Sequence, residues 1–431
     1  MVKLMVRHTE ARKLIHTEQG KKWLAQFDPL DQEIATLISN NLTLVSHNEF
    51  ERNLVRKITD VTANIVGTVA LFAMREMAPP KRVVDKKPYS NNLYSAVPYY
   101  EQVKVCQDGI SVSPLSETAD IGSEGRIAAI IRNFCKKDKL KLLNHPTLER
   151  LRITKCDAII CIDDFIGSGG RADEFLDTLW QEKTIVSWHS SNHIKFHVIA
   201  YSGTDNGIGR TKRHRSKPEV HIYRDAPTFY SLPWSEERKK AVYDLCEQYG
   251  KKANKKRRHM WWGYQKTMSS MVFEHGCPNN VPAILVEENN EWLGLFPDRT
   301  IADTTLSVFP SEIPQKFNPT SLGDFGQKKL AKSAKLINKG DEGQRMITIL
   351  ALIAKGKHKR STLCFATGLN NDDCDSLLSN CIVSGYVSPQ KRITPTGLAE
   401  LKAAQRIGKV KPDKLNKGSD FYFPQKLRKA T

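Results

Sequence analysis

A chain of 431 residues is longer than one hydrophobic core usually serves, so two or three domains are expected. With 66 Lys and Arg against 47 Asp and Glu the formal net charge is +19, which favours an anionic partner, nucleic acid above all, and says nothing about fold. No stretch reaches the roughly 18 apolar residues of a membrane span. The first residues lack a signal-peptide core, and nine scattered cysteines include no C-x-x-C pair, so a cytoplasmic chain without disulfides or membrane contact is expected.

Residues 1–80 read as a helical N-terminal region. Asp31 to Asn40 turns Ile34, Leu37 and Ile38 inward, and Phe50, Leu54, Ile58, Val61 and Ile65 form one amphipathic stripe. The helical run extends to residue 77, Pro79-Pro80 stops it, and Lys81, Arg82, Lys86 and Lys87 surround an exposed connection. From about residue 90 strands alternate with helices, the pattern of a mainly parallel sheet, which places an α/β domain over residues 81–309. Gly122 to Arg126 is a glycine-containing turn opening a helix over Ile127 to Ile131, and reads as a plain helix start.

The most informative segment is Ile159 to Arg171. An apolar strand runs into Asp163 and Asp164, then into Gly167, Ser168, Gly169 and Gly170, and a helix follows from near Ala172. Carboxylates at the end of a buried strand project into the crevice at the carboxyl edge of a sheet and accept hydrogen bonds from vicinal hydroxyls. Glycines lack bulk, so backbone N–H groups can close around a phosphate at the helix N-terminus. This segment resembles the phosphoribosyl-pyrophosphate motif of type I phosphoribosyltransferases. The resemblance implies that Asp163 and Asp164 hold ribose hydroxyls, that the loop holds the 5-phosphate, and that magnesium serves the pyrophosphate leaving group. Arg171 stands where that family commonly has Thr, and an arginine there adds a charge-assisted phosphate contact or points to solvent.

Beyond this loop a helix is expected over Ala172 to Gln181, with strands around Phe196 to Tyr201 and Glu219 to Tyr223 and a long loop from Asp205 to Lys217 between them. His189, His193 and His197 fall at spacing four, but a strand at 195–201 keeps them off one helical face, so no metal is assigned. Lys255, Lys256, Arg257 and Arg258, followed by Trp261 and Trp262, are either a phosphate-contacting, base-stacking patch or a solvated helix face leading into core tryptophans. Val272 to Leu285, with Trp292 and Leu295 to Pro297, resembles the closing segment of a phosphoribosyltransferase-like family from bacterial conflict systems, and Trp23 to Asp28 is similar to its opening helix.

Residues 310–340 carry three prolines and several lysines with few large apolar groups and read as a linker. Residues 341–404 then resemble a winged helix-turn-helix, with helices around Met346 to Ile353, Ser361 to Ala366 and Cys374 to Ile382, a wing from Tyr386 to Ile393, and a helix starting at Pro395. Its expected reading helix offers Asp372, Asp373 and Asp375 and no Lys or Arg. Phosphate contact is therefore assigned to Lys357, Lys359 and Arg360, and to Lys391 and Arg392 of the wing. Residues 405–431 form a basic tail with Phe421 to Pro424 near its end. A ribosyltransferase-like domain joined to a winged helix resembles the effectors of retrons. That resemblance implies an anti-phage role and restraint by a reverse transcriptase with its RNA-linked single-copy DNA. A non-catalytic nucleotide sensor and a nucleic-acid-binding regulator are the alternatives.

Overall fold

A computed structural model describes residues 13–83, 93–115, 123–310, 317, 322–323 and 325–405. Lys86, Lys87, Gly122, most of 311–324 and the basic tail from 406, with Phe421 to Pro424, lie outside the described residues. Short strands β1 (Thr43–Val45), β2 (Val69–Ala73), β3 (Lys81–Val83), β4 (Leu93–Ser95) and β5 (Leu142–Asn144) precede the long β6 (Ala158–Ile166) and β7 (Lys195–Gly203). β8 (Glu219–Asp225) and β9 (Met271–Phe273) follow. Every residue of β6 is buried, which explains the unbroken apolar run Ala158–Ile162 of its first half: a strand covered on both faces has no polar side to alternate with.

The main sheet is parallel throughout and runs β5-β2-β6-β7-β8. The first of these strands in the chain, β2, lies between the second and the third, so the winding direction reverses at the β2/β6 junction. Helices His47–Ala63 and Ser123–Cys135 cover one face, and Gly170–Trp180 covers the other. The stripe of Phe50, Leu54, Ile58 and Val61 is buried as expected. The run Val69–Ala73, expected inside a helix, is β2, because five consecutive buried residues have no polar face to give a helical period. The boundary expected near residue 80 therefore cuts between a central strand and the sheet it belongs to.

The opening helix Glu18–Leu24 is bound to the closing segment. Trp23 and Trp292 both donate indole N–H groups to the Ile284 carbonyl, at 2.8 and 3.1 Å, and Phe27 packs edge-on against both indoles. The same core includes Trp261, Trp262 and residues of the winged helix. Residues 325–340, expected as linker, contain the short helices Lys328–Ala331 and Ala334–Ile337, with Phe325, Leu330 and Leu336 buried in that core. Sparse apolar residues sufficed because Phe325, Leu330 and Leu336 point inward, while Ile337 stays exposed.

The winged helix consists of helices Asp341–Ile353, Arg360–Thr367, Asn371–Val383 and Pro395–Gln405, with a wing closed by pairing of Val387 with Ile393. It is seated on the end of β8. Arg360 clamps Asp225 through two bonds of 2.9 Å and reaches Asp375 at 3.1 Å. Asn371 exchanges bonds of 2.8 Å with the Asp225 backbone N–H and carboxylate, and Lys57 pairs with Asp372 at 2.8 Å. Arg360 was assigned to nucleic acid and is instead committed to this joint.

Asp225 is buried, so its unpaired charge would be costly. We expect Arg360→Ala to lower unfolding free energy by about 1–3 kcal/mol, the buried-pair cost reduced because the guanidinium is partly exposed. Asp225→Asn in the same chain should recover part of the loss. Urea unfolding of both single variants and the double variant measures the coupling; additive losses would mean that the pair does not hold the domains together.

Candidate functional site

The acidic doublet lies where β2 runs out. Ala73 is the last β2 residue paired with β6, opposite Ile162, and Asp163 comes next. The doublet thus sits at the strand-order reversal, where open α/β sheets bind ligands. Both residues still belong to β6, and Asp163 pairs with Ala200 of β7. Alternation sends their side chains to opposite faces. Asp163 receives Nη1 of Arg171 at 3.3 Å and the Asp164 backbone N–H at 2.9 Å, while Asp164 receives Nε2 of His275 at 3.3 Å. They are only 1% and 7% exposed, so the expected projection into an open crevice is corrected: this doublet is an enclosed, ion-paired unit.

Charge in this unit is unequally held. Burial raises the pKa of Asp163 well above the carboxylate range, and the nearby Arg171 offsets only part of that. Burial opposes ionisation of Asp164 too, but the His275 hydrogen bond, with Arg171, outweighs it and holds that carboxyl low. Arg171 is itself raised, first by Asp163 and then, after burial works against it, by Asp164, Glu76 and Glu124. Arg171 is thus the cation among four acids.

The loop turns as expected. Gly169 has φ 78°, the left-handed conformation, and caps helix Gly170–Trp180. A Cβ on Gly167 would lie 1.9 Å from Oδ1 of Asn280, and Asn280 is fixed through Nδ2 to the Tyr264 carbonyl and to Thr267. Those asparagine bonds are structural, while they also fit the loop to the closing segment. Thr204 donates to the Gly167 carbonyl at 2.6 Å and caps helix Asp205–Lys212, which replaces the first half of the loop expected at 205–217. Arg210 of that helix pairs with Asp173 beside the cradle. In the first turn of helix Gly170–Trp180 the Gly170 N–H is given to Oγ of Ser168 at 3.3 Å; a glycine turn and helix N-terminal amides are the elements from which phosphate cradles are built.

Sequence reasoning assigned no role to His275. It stacks on Phe273 at 5.0 Å and faces His47 at 6.0 Å. His47 lies 3.4 Å from Arg126 and 3.8 Å from Glu274. These histidines border a cavity of about 530 Å³, with Glu51, Arg126 and Asn133. Asp164 Oδ1, His275 Nδ1 and His47 Nδ1 are buried without a hydrogen-bond partner among the described residues, the kind of exception that marks groups kept for chemistry or a ligand. The resemblance of Val272–Leu285 was the one signal that could have singled out His275.

The basic positions are scattered. Lys357 pairs with Glu236, Lys255 with Glu291, and Arg258 with Glu247; Arg258 also covers the Trp261 ring. Because Trp261 and Trp262 are buried, base stacking by them is excluded. Lys256, Arg257, Lys359, Lys391 and Arg392 remain exposed. His189 packs on Trp180 and Phe196, away from the group that His197 joins.

One buried histidine sets a pH limit. His145 Nε2 accepts the Ala73 N–H at 2.8 Å at the end of β2, and Nδ1 faces Asn144 Oδ1 at 2.8 Å, so burial lowers its pKa to about 3. Between pH of about 6.5 and 3 the unfolded chain binds the extra proton, so stability is intact above this window and falls as pH drops through it, by up to about 1.4 kcal/mol per unit. Melting temperatures from pH 7.5 to 4.5 should show the decline, and His145→Gln, which keeps an acceptor and does not titrate, should flatten it.

Residues 21–297 match the family model PRTase-CE, and residues 347–429 match a second model, wHTH-PRTase associated. No curated protein and no solved structure matches the chain.

Proposed function

The chain belongs to the PRTase-CE family and carries a C-terminal winged helix, and from that premise we propose that it binds and processes a ribosyl or phosphoribosyl metabolite as the effector of a retron-type anti-phage system. The observation that carries this reading is the acidic doublet at the sheet's reversal point, followed by a left-handed glycine cap and a helix N-terminus. Ribose hydroxyls would take the place that Arg171 and His275 hold on the carboxylates, and the loop amides would take the phosphate. Positioning and charge would supply the rate: the ionised Asp164 stabilises positive charge developing at the anomeric centre. Magnesium would enter with the pyrophosphate, held through the substrate's own phosphate oxygens, because Asp164, Glu76 and Glu124 are not among the described side chains that converge on one point.

The closed ion pairs suit a restrained effector. Ligand entry requires Arg171 to leave Asp163, and a partner complex of reverse transcriptase and RNA-linked single-copy DNA would keep that exchange from happening. The same closure is the observation that favours the second reading, a sensor that binds nucleotide without turnover. In calorimetry, phosphoribosyl pyrophosphate with Mg²⁺ should bind the parent chain, at least tenfold more weakly Asp164→Asn, and more tightly Arg171→Ala. Mass spectrometry of the incubated ligand separates the two readings, since turnover identifies the enzyme and an intact bound ligand the sensor. Equal binding by parent and Asp164→Asn, with circular dichroism showing both folded, would remove the doublet from either reading.

Nucleic acid enters through the exposed cations alone. Helix Asn371–Val383 spends its first turn on β8 and Lys57, so base reading by it is excluded from this proposal. Each Lys or Arg on a phosphate releases counterions, so single-stranded DNA should bind with little sequence preference and lose affinity by orders of magnitude between about 50 and 200 mM salt. Lys391→Glu with Arg392→Glu should weaken it, whereas Arg258→Ala, already paired, should change it little. A flat salt response would direct the winged helix to protein partners.

A further inference from the structure

At the opposite, amino-terminal edge of the sheet, three side chains from two neighbouring strands converge. His197 of β7 and His221 of β8 face each other through Nδ1 and Nε2 at 3.2 Å. Oε2 of Glu219 lies 3.7 Å from the first nitrogen and 3.9 Å from the second. The parallel register produces the arrangement, since His197 pairs with Glu219 and Glu219 and His221, two apart on β8, share a face.

Ligands about 2.0–2.2 Å from a zinc ion stand roughly 3.3–3.5 Å apart in a tetrahedron, so these separations are close to those of a three-ligand set. A neutral imidazole offers one nitrogen lone pair to a metal ion. Three donors also border a cavity of about 600 Å³ that Asp60, Asp157, His193 and Lys195 help to line. Asp60 and Asp157 add negative charge, and Lys57 and Lys195, which also line the cavity, offset it. His193 borders the cavity but is not one of the three convergent donors.

We propose that His197, Glu219 and His221 form a site for a zinc-class divalent ion, with the remaining coordination position open to this cavity. Two neutral imidazoles and one carboxylate are a borderline-soft donor set, which suits Zn²⁺ better than Mg²⁺ or Ca²⁺. Three protein ligands with one open position are the pattern of sites that hold a water or a substrate atom, whereas structural zinc is usually closed by four. The ion would join edge strand β8 to β7 at the end remote from Asp225, so both ends of the strand carrying the winged helix would be held. This site is independent of the reading of the acidic doublet.

The rival account of the same geometry is a neutral hydrogen bond between the imidazoles with an exposed glutamate nearby. Glu219 decides between them, because its side chain is 63% exposed and the fold does not depend on it, whereas a metal site does. Metal-stripped full-length protein is titrated with Zn²⁺ against a chromophoric chelator, and separately with Co²⁺ while visible absorption is recorded. Parent protein should take up one equivalent of Zn²⁺ in competition with the chelator, and Co²⁺ should develop the intense visible bands of tetrahedral coordination. Glu219→Gln and His221→Ala should each lose at least tenfold in Zn²⁺ affinity, the lower bound of what even an outer-shell change costs. Zn²⁺ should raise the parent's melting temperature and leave that of Glu219→Gln unmoved, a readout that also shows the variant to be folded. Failure of the parent to compete for Zn²⁺, or affinity unchanged in either variant, would overturn the proposal in favour of the imidazole hydrogen bond.

Discussion

Two adjacent carboxylates buried at the end of a fully covered strand are the constraint around which this chain is arranged. Asp163 and Asp164 are almost without solvent, and an isolated charge there would cost several kcal/mol. Each therefore requires a partner delivered by a different part of the chain. Arg171 comes from the helix that follows, and His275 comes from the closing segment more than a hundred residues on. The tight glycine loop returns the Arg171 guanidinium to the carboxylate eight positions earlier, and β9 leads into His275.

The same economy governs the second domain. A reading helix that starts with Asp372, Asp373 and Asp375 is a poor match for DNA phosphates and a good match for Lys57, Asn370 and Arg360, which it meets here. Arg360 belongs to the winged helix and joins its own Asp375 to Asp225 of β8 in one polar cluster. The terminal domain is consequently packed into the shared core rather than hung on a linker. The strand it is seated on, β8, runs from Glu219 to Asp225.

Much of the candidate site is legible in the sequence alone. The strand, doublet, glycine turn and following helix are contiguous, and local steric rules for glycine and capping act over that same short range, so Asp163, Asp164 and Gly167 to Gly170 could be read directly. The amphipathic helix His47–Ala63 and the four helices of the winged domain were legible for a similar reason, since periodicity reports which face is buried. Val69–Ala73 misled because an apolar run covered on both faces has no period, and only its pairing with Leu142 and Ala158 makes it a strand. Arg360, Lys255 and Arg258 misled because charge in a sequence does not disclose an acid brought alongside by the fold.

What the sequence by itself determined was the local chemistry: an acidic pair, a glycine turn that opens a helix, a parallel α/β alternation and a terminal winged helix. Tertiary structure alone decided which charges are spent and which remain available. It put Arg171 and His275 on the doublet, put Trp261 and Trp262 in the core, and gathered His197, Glu219 and His221 from neighbouring strands. The physical reason is range. Backbone sterics and hydrophobic period act over a few residues and leave their mark in order, whereas ion pairs and ligand sets depend on separations of 3–4 Å between residues that strand register and chain reversal bring together.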